Sequence, residues 1–336
     1  MRVLITGGTG YIGSNCASAL LKLDHEVVLL DNLSNSSEVV CNKIFEITNK
    51  KVTFFKGDIS NTKLLNKIFT SLSIDAVIHC AGLKSASESI KYTEKYYYNN
   101  FLGTKNLIQS MQKNKVFKLI FSSSATVYGR PSYLPIDEKH PINPINPYGS
   151  TKVDAEGLLK KFAKKNLSWK ILSLRYFNPI GADDSYLLGD NPSGYSDNLF
   201  PFLLNVASGK ENFLKVFGNN YDTHDGTGVR DYIHILDLVD GHIAALLHLE
   251  EIESPANYDV INLGSGKGFS VLDVIYHFEK VTKVSIPYKY YPERDGDVAS
   301  SFADNIKAFK SLKWTNRRTL NDMCKSAWEF KKLSQS

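Results

Sequence analysis

Met1-Arg2-Val3-Leu4-Ile5-Thr6-Gly7-Gly8-Thr9-Gly10-Tyr11-Ile12-Gly13 opens the chain with an apolar run followed at once by a cluster of glycines. Val3-Leu4-Ile5 is a short apolar run of the kind that forms a buried strand. Gly8-Thr9-Gly10-Tyr11-Ile12-Gly13 follows it directly and matches G-x-G-x-x-G, with one more glycine at Gly7. Ile12, Ala19, Leu20 and Leu23 then recur at helical spacing. A second β-rich run, Val27-Val28-Leu29-Leu30, ends on Asp31. Strand, glycine turn, helix and strand in this order make a βαβ unit.

Such a turn has a chemical use. Glycines let the backbone approach a pyrophosphate at a helix N-terminus, where free N–H groups and the helix dipole favour anions. A carboxylate about 20 residues further on accepts hydrogen bonds from the adenosine ribose and repels a 2′-phosphate. Asp31 is that acid, so the expected cofactor is NAD rather than NADP.

Outward from this unit the pattern continues. Val52-Thr53-Phe54-Phe55, Ala76-Val77-Ile78, Leu119-Ile120-Phe121 and Ile171-Leu172-Ser173-Leu174 read as further buried strands. Helical segments separate them, as at Leu64, Leu65, Ile68, Phe69 and Leu72. The fold class is therefore α/β, a doubly wound parallel sheet of Rossmann type with a smaller α/β lobe behind it. We place the first domain at residues 1–177 and the second at 178–336. Residues 230–265 are expected to rejoin the first domain, since Val260-Ile261-Asn262-Leu263-Gly264 reads as one more strand of its sheet. The Gly-, Asp-, Asn-, Ser- and Pro-rich stretch 181–198 reads as a long functional loop.

Composition narrows the class. The chain has 336 residues, 43% hydrophobic and 22% charged, with a net charge of +5 that no basic block concentrates. That balance is ordinary for a globular protein and does not call for nucleic acid. Cys16, Cys41, Cys80 and Cys324 form no CxxC pair, which argues against a zinc site or a disulfide framework and for buried, reduced thiols. No apolar run reaches membrane-spanning length, and the stretch from Tyr232 to Leu249 is broken by Asp237 and Asp240. With a core strand starting at the N-terminus, we expect a cytoplasmic protein without a bound metal.

Two further features sit after later strands. Ser122-Ser123-Ser124 follows Phe121, at the strand end where open α/β sheets bind ligands. Pro147 suits the first turn of a helix, which puts Tyr148 and Lys152 on one face. A phenol with an ordinary pKa near 10 is a poor base at neutral pH. A nearby ammonium, a helix N-terminus and a nicotinium ring favour phenolate, so the pKa of Tyr148 is expected to fall. It could then take a proton from a hydroxyl while hydride leaves the carbon, with Ser124 sharing that proton.

These features together resemble the extended short-chain dehydrogenase/reductase family, and within it the UDP-glucose (UDP-galactose) 4-epimerases, over nearly the whole chain. The segments that carry the resemblance include LLDNLSNS, FSSSATVYG, NPYG, LRYFNP, FGNNYDTHDGTGVRDYIH and NLGSG. It implies that Gly7, Gly10, Tyr11, Ile12, Gly13, Asp31, Asn32, Asn35, Ser36, Asp58, Ile59, Cys80, Ala81, Gly82, Lys84, Asn99 and Phe177 surround NAD. It implies that Ser124, Tyr148 and Lys152 carry the proton transfer. It implies that Asn178, Asn198, Leu199, Phe217, Arg230, Arg294, Asp297 and Ser301, with Lys84, Ser124 and Tyr148, hold the UDP-sugar. A serine at 301, where some relatives have tyrosine, implies room for an N-acetylated sugar. Homodimers are common in the family.

A sugar-nucleotide 4,6-dehydratase needs an acid–base pair just before Val127-Tyr128-Gly129, where this chain has Ala125 and Thr126. A simple dehydrogenase would exchange its cofactor with solvent. A non-enzymatic NAD-sensing regulator would have no need of Ser124, Tyr148 and Lys152 together.

Overall fold

The computed structural model describes residues 1–191, 198–251, 257–294 and 296–335. The strands are β1 (Arg2–Thr6), β2 (Glu26–Asp31), β3 (Thr53–Lys56), β4 (Ala76–His79), β5 (Lys118–Ser122), β6 (Lys170–Tyr176), β7 (Asn178–Ile180), β8 (Leu214–Phe217), β9 (Val229–His234), β10 (Tyr258–Leu263), β11 (Gly268–Ser270), β12 (Tyr288–Tyr291) and β13 (Ser300–Ser301). The helices are α1 (Tyr11–Lys22), α2 (Val39–Thr48), α3 (Thr62–Ser71), α4 (Ala86–Lys91), α5 (Thr93–Tyr96), α6 (Gly103–Lys113), α7 (Pro147–Lys165), α8 (Leu199–Ala207), α9 (Ile235–Glu251), α10 (Val271–Thr282), α11 (Ile306–Leu312) and α12 (Leu320–Leu333).

Seven strands form one sheet in the order β10-β6-β5-β4-β1-β2-β3, and every pairing is parallel. The order reverses beside β1, which opens the crevice where such sheets bind ligands. The strands read as unbroken apolar runs because both faces are covered. Val3, Ile5, Leu29 and Ile120 face one cluster with residues of α1 and α9. Leu4, Val28, Leu30 and Phe121 face the other, with residues of α3, α6 and α7. The alternation within each strand is the period-two geometry of a pleated strand. The strand expected around residues 260–264 is β10, and it pairs with β6 in this sheet.

A third cluster lies in the later half. Phe200 and Leu203 of α8, Val216 of β8, Tyr232 of β9, Phe278 of α10 and Met323 of α12 meet there. Short strands from distant segments cover it: β11 and β13 flank β9, which also pairs with β7. Ser270 and Asp273 close the N-terminus of α10 with reciprocal hydrogen bonds, as Thr319 and Asp322 do for α12.

The stretch 181–198 is more ordered in its first half than its composition suggests. Ala182 and Gly189 form a β-bridge, and buried Asp183 accepts Leu188 N–H at 2.7 Å. The rest of that expected loop, residues 192–197, lies outside the described residues. All four cysteines are free, but only Cys16 and Cys324 are buried; Cys41 and Cys80 are half-buried, which corrects the expectation for those two. Among the described residues no helix is long and apolar enough to cross a membrane.

Candidate active site

Close packing sets the shape of the glycine turn. Gly7 has φ +67°, where a side chain is strained, and a Cβ on it would lie 2.7 Å from Ala81 N. A Cβ on Gly13 would lie 2.2 Å from Gly7 O. The turn is thereby pressed against Ala81, just past β4. Gly10 caps α1 without any side-chain acceptor, so the first-turn N–H groups remain available to an anion. Tyr11 reaches away from the turn, its hydroxyl donating to Gly181 O at 2.7 Å.

Asp31 is buried and accepts Thr9 N–H at 3.1 Å, Leu33 N–H at 2.8 Å and the Ser36 hydroxyl at 3.1 Å. A carboxylate has about four lone-pair sites, so these donors hold the group in place and still leave capacity for a ribose hydroxyl. Asn32 donates to Asp58 at 2.6 Å. Burial pushes Asp58 up, but hydrogen bonds from Ser60 and Asn32 outweigh it and hold the carboxyl below its ordinary value. Asn32, Asp58, Leu83, Asn99 and Leu102 line one open groove beside the turn. Asn35 is exposed on the same strand-end loop. Ile59 turns its side chain into the core, where a Cβ on Gly103 would lie 2.5 Å from its Cδ1; only its backbone can serve the groove. Phe177 is buried beside Val127, Tyr128, Ile136 and Ala303. Lys84 pairs with Asp190 at 2.9 Å and lies 5.9 Å from the Tyr11 ring centre.

Ser124 sits at the end of β5 and caps a short 3₁₀ turn, its Oγ accepting Thr126 N–H at 3.2 Å. Asn146 caps α7 through Gly149 N–H at 2.8 Å, with Pro147 in the first turn as expected. Tyr148 and Lys152 both point inward from that helix and are almost fully buried. Lys152 Nζ donates to Ser122 O at 2.8 Å and lies 5.9 Å from the Tyr148 ring centre. Burial lowers Lys152 to about 8.

The expected fall in the Tyr148 pKa is reversed in the protein alone. Burial pushes this phenol up, and the Ser124 hydroxyl opposes the rise only in part. The physical reason is that desolvating phenolate outweighs an ammonium that is bonded to a carbonyl oxygen rather than aimed at the phenol.

The residues expected to hold the sugar nucleotide fall into one neighbourhood of the later half. Ser301 of β13 is paired with Arg230 of β9. Arg230 forms an ion pair with Asp297, and Arg294 lies 3.6 Å from the same carboxylate. Arg294 also stacks 4.7 Å above the Phe217 ring. Asn198 caps α8, whose first residue is Leu199, and Phe200 packs 6.0 Å from Tyr232. Asn178 of β7 donates to Asp231 O at 2.8 Å, tying that strand to β9.

Several residues that position this site were not singled out in the sequence. Asn100 accepts Leu83 N–H at 2.8 Å, donates to Leu83 O at 3.0 Å and reaches Thr151 of α7 at 3.1 Å. Its only signal was the doubled asparagine with Asn99. Ser89 takes the Tyr148 N–H at 3.1 Å, and no local pattern marked it. Asp231, within the GVRDYIH run, accepts from Ser265, Gly266 and Ala303 and is pushed up to about 6 by burial.

Known proteins are similar to this chain over nearly its whole length. The chain is 46% identical to the UDP-glucose 4-epimerase of Bacillus subtilis (strain 168), covering 98% of this chain and 96% of that one. The crystal structure of UDP-glucose 4-epimerase from Bifidobacterium longum, in complex with NAD+ and UDP, superimposes with a TM-score of 0.95 at 43% identity, covering 100% and 99%. The UDP-Glc/GlcNAc 4-epimerase of Campylobacter jejuni superimposes with a TM-score of 0.86 at 37% identity, covering 99% of each. Residues 3–264 match the family described as NAD dependent epimerase/dehydratase. On these grounds the chain belongs to the NAD dependent epimerase/dehydratase family.

Proposed function

We propose that this protein interconverts UDP-glucose and UDP-galactose, and also UDP-N-acetylglucosamine and UDP-N-acetylgalactosamine, by inversion at carbon 4 of the sugar. The observation that carries the reading is the burial of Tyr148 and Lys152 on one face of α7, beside Ser124, with the glycine turn on one side of the crevice. The close packing at Gly7 and Gly13, the bare N-terminus of α1 and the held carboxylate of Asp31 suit NAD. NAD, when bound, would supply the redox chemistry at carbon 4 as hydride acceptor and donor.

The chain's own residues do the rest. Tyr148 takes the proton of the 4-hydroxyl and, once the 4-keto sugar has turned over and hydride returns to the other face of carbon 4, gives the proton back to the same oxygen. Its pKa is raised in the protein alone, so its activation depends on Lys152 and on the positive charge of the bound cofactor. Ser124 shares the proton in flight. Lys152, held by Ser122 O, keeps a positive charge beside the phenol. Arg230 and Arg294 bind the diphosphate with guanidinium forks while the 4-keto sugar turns about that linkage. Asn178, Asn198, Leu199 and Phe217 hold the nucleoside end. Ala125 and Thr126 carry no acid or base, which disfavours dehydration.

The wider substrate range rests on Ser301. It is half-buried on β13 beside Arg230, where a tyrosine ring would occupy the room an acetamide needs. Two lobes, 1–177 joined by 230–265 and 178–336, would then hold the substrate in the cleft between them. We read the working form as a cytoplasmic homodimer, on the family likeness alone.

The test is product analysis with UDP-glucose and UDP-N-acetylglucosamine side by side, with no cofactor added. Formation of both 4-epimers by protein that retains NAD is expected. No turnover of UDP-glucose would sink the activity, and inertness toward UDP-N-acetylglucosamine alone would sink the wider range.

A further inference from the structure

The loop from β8 to β9 carries a tyrosine whose environment is unusual. Tyr221 N–H donates to Gly226 O at 3.0 Å, Thr223 N–H donates to Tyr221 O at 2.8 Å, and the Thr223 hydroxyl donates to Thr227 O at 2.8 Å. The loop is thus closed on itself and holds the ring in one place. That place is against Gly218: a Cβ there would lie 2.3 Å from Tyr221 Cε2 and 3.0 Å from Glu293 Cγ. Gly218 has φ +81° and directly follows Phe217, over which Arg294 stacks. The ring therefore lies between the end of β8 and the segment that carries Arg294 and Asp297.

The Tyr221 hydroxyl is shielded from solvent and has no hydrogen-bond partner. A buried hydroxyl without a partner is costly, and one that persists calls for an explanation. Two other orphaned polar atoms occur among the described residues, Asn15 Oδ1 and Trp169 Nε1. Asn15 lies on α1 near Leu188, and Trp169 lies in a core cluster of the main sheet, so neither belongs to this neighbourhood. Of these three, Tyr221 is the one that lies between the end of β8 and the segment that carries Arg294 and Asp297.

Charge decides what the hydroxyl can do. Burial raises the Tyr221 pKa first, Asp297 and Glu293 raise it further, and Arg230 and Arg294 pull it down. The balance keeps the phenol protonated at neutral pH, as a donor. Asp297 meanwhile holds both arginines in place. A neutral donor next to the segment that carries Arg294 and Asp297 suits the non-bridging oxygens of a diphosphate.

We propose that Tyr221 is a substrate-binding residue whose hydroxyl donates a hydrogen bond to the diphosphate of the sugar nucleotide, alongside Arg230 and Arg294. The assignment rests on the reading given under Proposed function and adds a contact to that site.

The experiment uses the NAD-loaded Tyr221→Phe protein with three probes: UDP, uridine and UDP-glucose. A hydrogen bond to a charged acceptor predicts UDP affinity weaker by roughly tenfold or more. The KM for UDP-glucose should rise by a similar factor, with kcat within about threefold, because the contact is made equally in ground and transition states. Uridine affinity and NAD content should not change. Without substrate the variant should melt at or above the wild-type temperature, since phenylalanine removes an unsatisfied buried hydroxyl. Unchanged UDP affinity overturns the proposal, as does an equal loss for UDP and uridine, or a lowered melting temperature in the absence of substrate. Wild-type protein that binds no UDP would overturn the epimerase reading itself, a result distinct from normal wild-type binding with an indifferent variant.

Discussion

Replacing Lys152 by methionine should make the ligand-free protein more stable at pH 7 while disabling it as a catalyst. Lys152 is almost fully buried, and burial lowers it from 10.5 to about 8. At about 1.4 kcal/mol per pH unit, that difference makes the charged lysine cost the empty fold about 3 kcal/mol. Methionine has similar length and removes the charge, but it also removes the donor to Ser122 O, a loss of about 1 kcal/mol. The net gain is about 1–2 kcal/mol. For 336 residues the unfolding entropy is roughly 0.7 kcal/mol/K, so the melting temperature should rise by about 2 °C. The sign depends on pH in a definite way. Below about pH 8 the lysine is charged in both folded and unfolded chains, and its cost is fully present. Between about 8 and 10.5 the folded protein has released a proton that the unfolded chain still holds, so wild-type stability rises with pH. The advantage of Lys152→Met should therefore be largest at pH 7 and vanish by about pH 10.5. Calorimetry on nucleotide-stripped wild type and variant from pH 7 to 10 measures the gap. A variant that melts below wild type at pH 7, or a gap that does not change with pH, would mean that burying the Lys152 charge costs the empty fold nothing.

Other substitutions test the site from different sides. Tyr148→Phe should lower kcat by about 10²–10⁴-fold while NAD stays bound, as expected of a lost general base; near-normal turnover removes Tyr148 from the chemistry. Asp31→Ala should loosen NAD and relax discrimination against NADP, and because Asp31 also holds Thr9 and Leu33, the glycine turn should lose order as well; unchanged cofactor content and selectivity would give Asp31 another job. Ser301→Tyr should selectively suppress the N-acetylated pair, read as the ratio of kcat/KM for the two substrates; equal loss of both activities ends the gatekeeper role.

The main sheet was legible because its strands are buried on both faces and so appear as continuous apolar runs. Even β10, far along the chain, carried that signal in Val260-Ile261-Asn262-Leu263. The small sheet of the later half was not, because its strands are two to six residues long and pair with partners far away in sequence. Boundaries slipped where side-chain period and hydrogen bonding disagree. Leu72 completes an apolar helical face, yet it adopts extended geometry as the residue that ends α3. The site followed the same rule. Gly7–Gly13, Asp31, Tyr148 and Lys152 were readable because their spacing along one chain segment has a physical meaning. Asn100 and Ser89 were not, because what matters is which backbone groups they meet across the fold. The direction of the Tyr148 pKa failed for a related reason: spacing shows that an ammonium is near, but not how much water has been excluded.

The distribution of unrelieved polar groups carries the functional argument further. Elsewhere among the described residues, buried charges have partners in place. Arg175 and Glu156 form a two-pronged pair at 2.9 and 2.5 Å, with the Ser123 hydroxyl donating to the same carboxylate. Asp237, fully buried, accepts from the Arg318 side chain and from two backbone N–H groups. Against that background, burial holds Lys152 at about 8 and pushes Tyr148 up, and the Tyr221 hydroxyl, like Asn15 Oδ1 and Trp169 Nε1 elsewhere in the fold, has no partner. Lys152, Tyr148 and Tyr221 belong to the two ends of the proposed substrate path, the reacting sugar and the diphosphate. Strongly perturbed groups gather where ligands complete them. The same placement couples binding to stability: anion and cofactor relieve costs that the empty fold retains, so saturating UDP should raise the melting temperature by more than the same ligand does in Tyr221→Phe.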